Sequence, residues 1–235
     1  MKAIVEESCA QYEINNTIEI SDENHHHLSV VMRSQVEDEI LVLNGNGLKV
    51  LAVIENISKK KTSLKITQKE TFEDNRKYTL ALGLVKREYF EDILHFATEL
   101  NIKTIIPIKS EFAQRYEPNI DRLQKIIHNS AIQSNALYFP KVLAPVSWSE
   151  FRLLNNGKLF YFHNEGNSED LGPKIKCTED VTCAIGPEGG WSRDDLSELA
   201  AIDKSASINL KSFNILRAVT AVPVAIGYID RMREN

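Results

Sequence analysis

Nothing in this chain of 235 residues runs apolar for the roughly 20 residues that a membrane-spanning helix needs. Its first residues, MKAIVEESCAQYE, lack the apolar core of a secretion signal. A cytoplasmic protein with no membrane partner is therefore expected. Cysteine is scarce as well: Cys9, Cys177 and Cys183 are odd in number, far apart and free of C-x-x-C spacing, which excludes a disulfide framework or a zinc site. Cys177 and Cys183 are expected to be small, partly buried residues. His25-His26-His27 is the one histidine cluster. Consecutive residues on a helical turn point in different directions and no Cys or acid pattern completes a site, so no metal is expected. One of the three should pack against the protein and the others stay solvated. Positive charge is short too, 28 Lys and Arg against 33 Asp and Glu for a formal charge of −5. Residues 1–75 hold 8 against 13, leaving 20 of each in the remainder, so any contact with nucleic acid must be local. Lys59-Lys60-Lys61 with Lys65 and Lys69 is either such a cluster or the solvated face of a hairpin. Internal repeats and low-complexity segments are absent.

Against this background the glycines stand out, because three of the ten fall in Gly186-Pro187-Glu188-Gly189-Gly190. The apolar run Val181–Ile185 before them reads as a strand buried on both faces, and Ser192 with Asp194 and Asp195 after them reads as a capped helix start. Strand, bent loop, helix is the order in which α/β proteins place ligands, at the carboxyl ends of strands. Glycine there admits positive φ and lets a ligand approach the main chain. The loop has no following Gly-Lys-Ser/Thr and no G-x-G-x-x-G spacing, which disfavours a phosphate cradle.

The rest of the chain supplies two kinds of periodicity. Ser21-Asp22-Glu23 can cap a short helix through His25–Arg33. Glu39–Leu43, Leu48–Ile54 and Thr62–Thr67 read as strands, the first two joined by Asn44-Gly45-Asn46-Gly47, a hairpin signal because Asn and Gly tolerate positive φ. A small β-barrel is the natural packing. Thr71–Arg76 is a polar connector, and the boundary is placed there, giving an N-terminal domain of residues 1–72 and a second of 73–235. Beyond it Tyr78–Val85 reads as a strand and Arg87–Leu100 as a helix with Phe90, Ile93, Leu94, Ala97 and Leu100 on one face. Thr104–Ile108 is the next strand. That is a βαβ unit, hence an α/β domain with a parallel sheet. Arg122–Leu137 reads as a helix with Leu123, Ile126, Ile127 and Ser130 inward, and Lys158–Phe162 as a buried strand. A final helix is expected to open near Ile215, its small residues Ala218, Ala221, Ala225 and Gly227 permitting close packing.

Ile185-Gly186-Pro187-Glu188-Gly189-Gly190 followed by Ile215-Leu216-Arg217-x-x-Thr220-Ala221 resembles the RsmE family of 16S rRNA uridine-N3 methyltransferases, in the SPOUT superfamily. His26-His27-Leu28 and Arg33, Lys86 with Glu91, Ala97-Thr98-Glu99-Leu100, Gln133-Ser134 and Pro140 carry the likeness along nearly the whole chain. The resemblance implies an N-terminal PUA-like barrel that helps hold RNA and a C-terminal SPOUT domain threaded into a trefoil knot. It also implies S-adenosylmethionine as cofactor, the 30S subunit with its 16S rRNA as partner, and a homodimer. Three loops would hold the cofactor, through His163, Ile185, Gly186, Glu188, Gly190, Leu210, Lys211, Asn214, Ile215 and Leu216. Arg33, Lys86, Gln133 and Ser134 would contact RNA.

A sulfonium methyl is already activated, so positioning dominates the chemistry at the donor. Uracil N3 lies on the pairing edge, so the acceptor base must be unpaired and splayed out. Arg217 is the candidate catalytic residue, a permanent fork of donors able to stabilise charge developing on the uracil oxygens or to clamp a phosphate. It could equally form an ion pair with Asp194 or Glu198. Glu188 could serve the chemistry or orient its own loop. The chain departs from the family where Ser212, Asn214 and Val219 replace a Gly, an Arg and a Glu. It departs again at Ile132, Ala136 and Phe112, which stand for a Glu and two Arg. These departures keep two other readings in view, a SPOUT enzyme with a different RNA target and a non-catalytic ribosome-binding assembly factor.

Overall fold

The computed structural model describes residues 1–165, 175–210 and 213–234. They form two compact units, residues 1–75 with 127–139, and residues 76–126 with 140–235.

The first unit contains β1 (Lys2–Val5), β2 (Thr17–Ile20), α1 (Asp22–His26), β3 (Glu39–Leu43), β4 (Leu48–Ile57) and β5 (Thr62–Thr71). The strands make one sheet in the order β1-β3-β4-β5-β2. β1 runs parallel to β3, and the remaining pairs are antiparallel. The sequence pattern ended β4 and β5 several residues early and did not signal β1 or β2. β1 and β3 lack polar alternation because both faces are covered. Ile4, Ile40 and Val42 enter a core with Ile18, Leu28 and Ile54, whereas Ala3, Val5, Leu41 and Leu43 pack with Ile132, Leu137 and Phe139.

The Asn44–Gly47 turn forms as expected, with Gly45 at φ +74° and Gly47 at φ +83°. Asn44 Oδ1 accepts from the N–H groups of Asn46 (2.9 Å) and Leu48 (3.1 Å). The helix after Ser21 begins earlier than expected, at Asp22, and widens into a π-type turn over His27–Val31. His25 is the packed histidine, buried with Nδ1 2.9 Å from Thr62 Oγ1. His26 is exposed, and the half-buried His27 has an Nε2 without a partner among the described residues. The lysine cluster is largely neutralised: Lys61 pairs with Glu19, Lys65 with Glu55 and Lys69 with Glu13.

The second unit contains, in order, β6 (Tyr78–Gly83), α2 (Arg87–Glu99), β7 (Thr104–Ile108), α3 (Ile120–Ser134), β8 (Lys141–Val142), α4 (Trp148–Leu154) and β9 (Lys158–Phe162). There follow β10 (Ile175–Lys176), β11 (Val181–Ile185), α5 (Arg193–Ala200), β12 (Ser205–Ile208), α6 (Ala218–Arg231) and β13 (Arg233–Glu234); α3 after Ile126 counts with the first unit. Six strands form a parallel sheet in the order β12-β9-β11-β6-β7-β8. Chain order reverses beside β6: β7 and β8 extend one way, β11, β9 and β12 the other.

Every residue of β11 is buried, as its unbroken apolar run predicted. One face of the sheet packs through Ala81, Ile106, Leu159 and Ala184 onto Phe151 of α4 and Leu199 of α5. Each such fully buried large side chain contributes about 1.5–3 kcal/mol. α6 packs against β11 and α2. On α2, Phe90, Ile93, Leu94 and Ala97 are buried as expected, with Thr98 completing the face and Leu100 only half-buried.

Three expectations need correction. α6 opens at Ala218, because Arg217 holds an extended ψ of 153° and residues 213–217 are not helical. Gly227 serves no close packing among the described residues, since a Cβ added there would meet nothing of them within 4 Å. Of the two later cysteines, Cys183 is fully buried but Cys177 is exposed, because it falls on a turn rather than in a strand.

Candidate functional site

The parallel register aligns the carboxyl ends of β9, β11, β6 and β7, so the segments after these strands share one edge. The glycine-rich loop after β11 lies where chain order reverses, the position at which open α/β sheets form a crevice. Of its glycines only Gly190 adopts positive φ, at +75°. A Cβ there would meet nothing within 4 Å among the described residues, so these leave the loop open at that point. Gly186 and Gly189 are required for a different reason. A Cβ on Gly186 would lie 3.1 Å from the Gly190 carbonyl carbon, and one on Gly189 would lie 2.8 Å from Phe112 Cβ. Gly190 N–H closes the turn onto Pro187 O at 2.8 Å. Gly83, which the sequence pattern did not single out, lets the loop pass over the end of β6: a Cβ there would sit 2.4 Å from Pro187 Cδ.

Two carboxylates hold this loop. Glu188 Oε1 accepts the backbone N–H of Lys86 at 2.9 Å, tying the loop to the N-cap of α2. Asp195, only 3% exposed, accepts from three donors, Trp148 Nε1 at 2.8 Å, Ser192 N at 3.0 Å and Glu111 N at 3.3 Å. With Ser192 it forms the capping box that starts α5, and through Glu111 it joins the loop after β11 to the turn after β7. Ser110 Oγ and Trp191 Nε1, both in these segments, are buried without a partner among the described residues.

A second pair of segments is stitched together after β9 and β12. His163 N–H donates to Ile208 O (3.1 Å), His163 Nε2 lies 2.8 Å from Ser207 Oγ, and Asn209 Nδ2 donates to Asn164 O (2.6 Å). The His163 ring stacks on Tyr161 at 5.7 Å. Burial holds its pKa below the usual histidine value despite the opposing charge of Glu165, so the ring is neutral at neutral pH and can serve a ligand as a hydrogen-bond partner.

Leu210 N-terminal to the last loop is half-buried and accepts from Phe213 N–H at 3.0 Å. Asn214 and Ile215 are exposed, Ile215 at 82%, and Leu216 is half-buried; Lys211 and Ser212 lie outside the described residues. Arg217 is exposed at the N-cap of α6 and forms no ion pair among the described residues. Of its two expected alternatives, Glu198 pairs instead with Arg152. Among the candidate RNA contacts, Lys86 is exposed in this unit. In the first unit Arg33 is exposed at φ +49°. Gln133 and Ser134 are exposed in the last turn of α3, with Ser134 Oγ bonded to Ser130 O.

A polar cleft of about 490 Å³ opens elsewhere, at the amino ends of β9, β11 and β12. Two of its cations are already engaged, Lys158 by Glu179 and Arg152 by Glu198. Among the described residues no group of acids, histidines and cysteines could hold a metal ion, and no helix is long and apolar enough to cross a membrane. The carboxyl-edge loops, with their glycine backbone, neutral histidine and exposed Arg217, remain the candidate site.

Comparison with known proteins identifies the family. Residues 72–230 match the RNA methyltransferase domain family, and residues 20–67 match the RNA methyltransferase PUA domain. Ribosomal RNA small subunit methyltransferase E of Rickettsia conorii is 31% identical over 221 residues, covering 92% of this chain and 90% of that protein. The protein of the same name from Synechocystis is 30% identical, over 94% and 75%. The crystal structure of ribosomal RNA small subunit methyltransferase E from Neisseria gonorrhoeae bound to S-adenosylmethionine superposes with a TM-score of 0.86, at 20% identity over 99% of this chain and 98% of that one. At that identity the likeness establishes a shared fold.

Proposed function

The chain belongs to the RNA methyltransferase family that includes ribosomal RNA small subunit methyltransferase E, and from that premise we propose that it methylates N3 of a uridine in the 16S rRNA of the 30S subunit. It acts as a cytoplasmic homodimer, with residues 1–72 as the RNA-holding PUA-like domain and 73–235 as the knotted methyltransferase domain. The observation that carries this reading is the glycine-rich loop at the chain-order reversal, open at Gly190 and closed to side chains at Gly186 and Gly189. Such a loop presents main-chain donors and acceptors to a nucleoside edge without obstruction. S-adenosylmethionine, when bound, supplies an activated sulfonium methyl.

The chain's own residues then divide the remaining work. Ile185, Gly186, Glu188 and Gly190 present or hold the central loop. His163 and the segment from Leu210 through Lys211 to Leu216 flank it. Arg217, exposed and unpaired among the described residues at the positive end of α6, faces the acceptor. Its guanidinium neutralises charge that develops on uracil O2 or O4 as the N3 proton leaves. Arg33, Lys86, Gln133 and Ser134 contact the RNA.

Transfer of labelled methyl to 30S subunits lacking uridine-N3 methylation, with the product nucleoside identified by mass, tests the proposal. 3-Methyluridine is expected. Cofactor binding with no labelled nucleoside would remove the uridine-methylase reading in favour of an assembly factor, and a different labelled nucleoside would reassign the target.

A further inference from the structure

The turn after β7 carries an aromatic ring beside the glycine-rich loop, and main-chain bonds fix it on both sides of that ring. Lys109 N–H donates to Val146 O (2.8 Å), Ala113 N–H to Ser110 O (3.2 Å) and Gln114 N–H to Leu84 O (2.7 Å). Glu111 N–H donates to the buried Asp195. Phe112 stands at the tip of this turn, 48% exposed, with its Cβ against the Cα of Gly189. The following residues run along the end of β6. Tyr116 Oη donates to Val85 O, and the Arg87 guanidinium lies over the Tyr116 ring at 5.4 Å. Lys86 and Arg87, both exposed, thus flank the segment that Phe112 leads. Neither pairs with an acid among the described residues.

A half-exposed ring beside the glycine-rich loop, bordered by cations, has the chemistry of a single-strand nucleic-acid seat. Aromatic faces stack unpaired bases, and neighbouring cations take the backbone phosphates. The main-chain bonds matter here, because a ring on a loose loop would lose to conformational entropy much of what stacking returns.

We propose that Phe112 is the stacking platform for the splayed acceptor nucleotide, with Lys86 and Arg87 gripping the adjoining phosphate. This rests on the uridine-methylation reading of the same site. Phe112 touches the base and not the methyl donor, so it governs acceptor use and leaves cofactor affinity alone.

The test compares the parent with Phe112→Ala and Phe112→Trp in the full-length protein. Loss of one stacked base predicts that kcat/KM for 30S subunits falls about 5- to 150-fold in the alanine variant. Tryptophan should recover most of it, and calorimetric affinity for S-adenosylmethionine should be unchanged in both. Parental kcat/KM in Phe112→Ala overturns the proposal. So does equal impairment of both variants, a lowered cofactor affinity, or altered self-association in the ultracentrifuge, which would assign the ring to an interface between chains.

If the parent makes no 3-methyluridine, the functional reading fails and the platform is judged by binding alone. Fluorescence of Phe112→Trp should then quench on adding a short RNA with an unpaired uridine, and Phe112→Ala should bind that RNA more weakly. Absence of both effects overturns the platform as well.

Discussion

Asp195→Ala should unfold more easily than any surface substitution, and the structure sets the size of the effect. The carboxylate is 3% exposed and accepts from Trp148 Nε1, Ser192 N and Glu111 N. Removing it strands three donors, each costing about 1–3 kcal/mol when buried and unmade. Solvent partly reaches Trp148, so the lower half of the range applies and about 3–6 kcal/mol is expected. For a protein of this size each kcal/mol lowers Tm by about 2–4 °C, so the transition should fall by about 6–24 °C. Asp195→Asn retains the shape and one acceptor oxygen, and it should cost only about 1–3 kcal/mol. Both tryptophans of the chain, Trp148 and Trp191, lie in the second unit, so tryptophan emission during urea unfolding reports that unit without interference from the first. Because Asp195 also joins the turn at Glu111 to the glycine-rich segment, the asparagine variant should bind S-adenosylmethionine more weakly than the parent. An alanine variant destabilised by less than about 1 kcal/mol would refute the assignment of Asp195 as the tie between these loops.

Gly83→Ala places a Cβ 2.4 Å from Pro187 Cδ and should destabilise by about 1–3 kcal/mol through overpacking, measured by urea titration. Gly190→Ala meets no atom of the described residues but must keep φ at +75°; it should cost only about 1 kcal/mol yet block the cofactor, and unchanged affinity by calorimetry would sink the cradle assignment. Arg217→Ala should abolish methyl transfer while leaving cofactor affinity and stability within about 0.5 kcal/mol of the parent, as for other exposed positions. His163 has its folded pKa lowered by burial, below an unfolded value near 6.5. Its contribution to stability is therefore complete above about pH 6.5 and is lost as pH falls through the folded value. Urea titrations between about pH 4.5 and 7.5 should show that slope in the parent and a flatter one in His163→Gln.

Phe112 and Gly83 illustrate how sequence and structure divide the information. The run Val181–Ile185 and the five residues after it specified a buried strand followed by an open loop, because an apolar stretch without alternation and a cluster of glycines each admit few conformations. The Asn-Gly turn at Asn44–Gly47 and the capping box at Ser192 were legible for the same reason, since the chemistry that fixes them lies within four residues. The helical face of α2 followed from its period. The short strands Lys2–Val5 and Thr17–Ile20 were not legible, because strands of four residues carry little pattern and owe their pairing to β3 and β5, distant in sequence. The start of α6 was misplaced by three residues because Ile215 and Leu216 continue a helical apolar pattern that the extended Arg217 interrupts.

The sequence by itself determined the two classes of local structure, the glycine-rich loop and, through its motifs, the family. Only the tertiary structure decided that Gly83 must be bare to admit Pro187, that Asp195 joins two loops 84 residues apart, and that Phe112 stands half-exposed on a fixed turn. Those are close approaches between segments remote in the chain. Which side chain a distant backbone touches is set by strand order and register, and no local pattern encodes either.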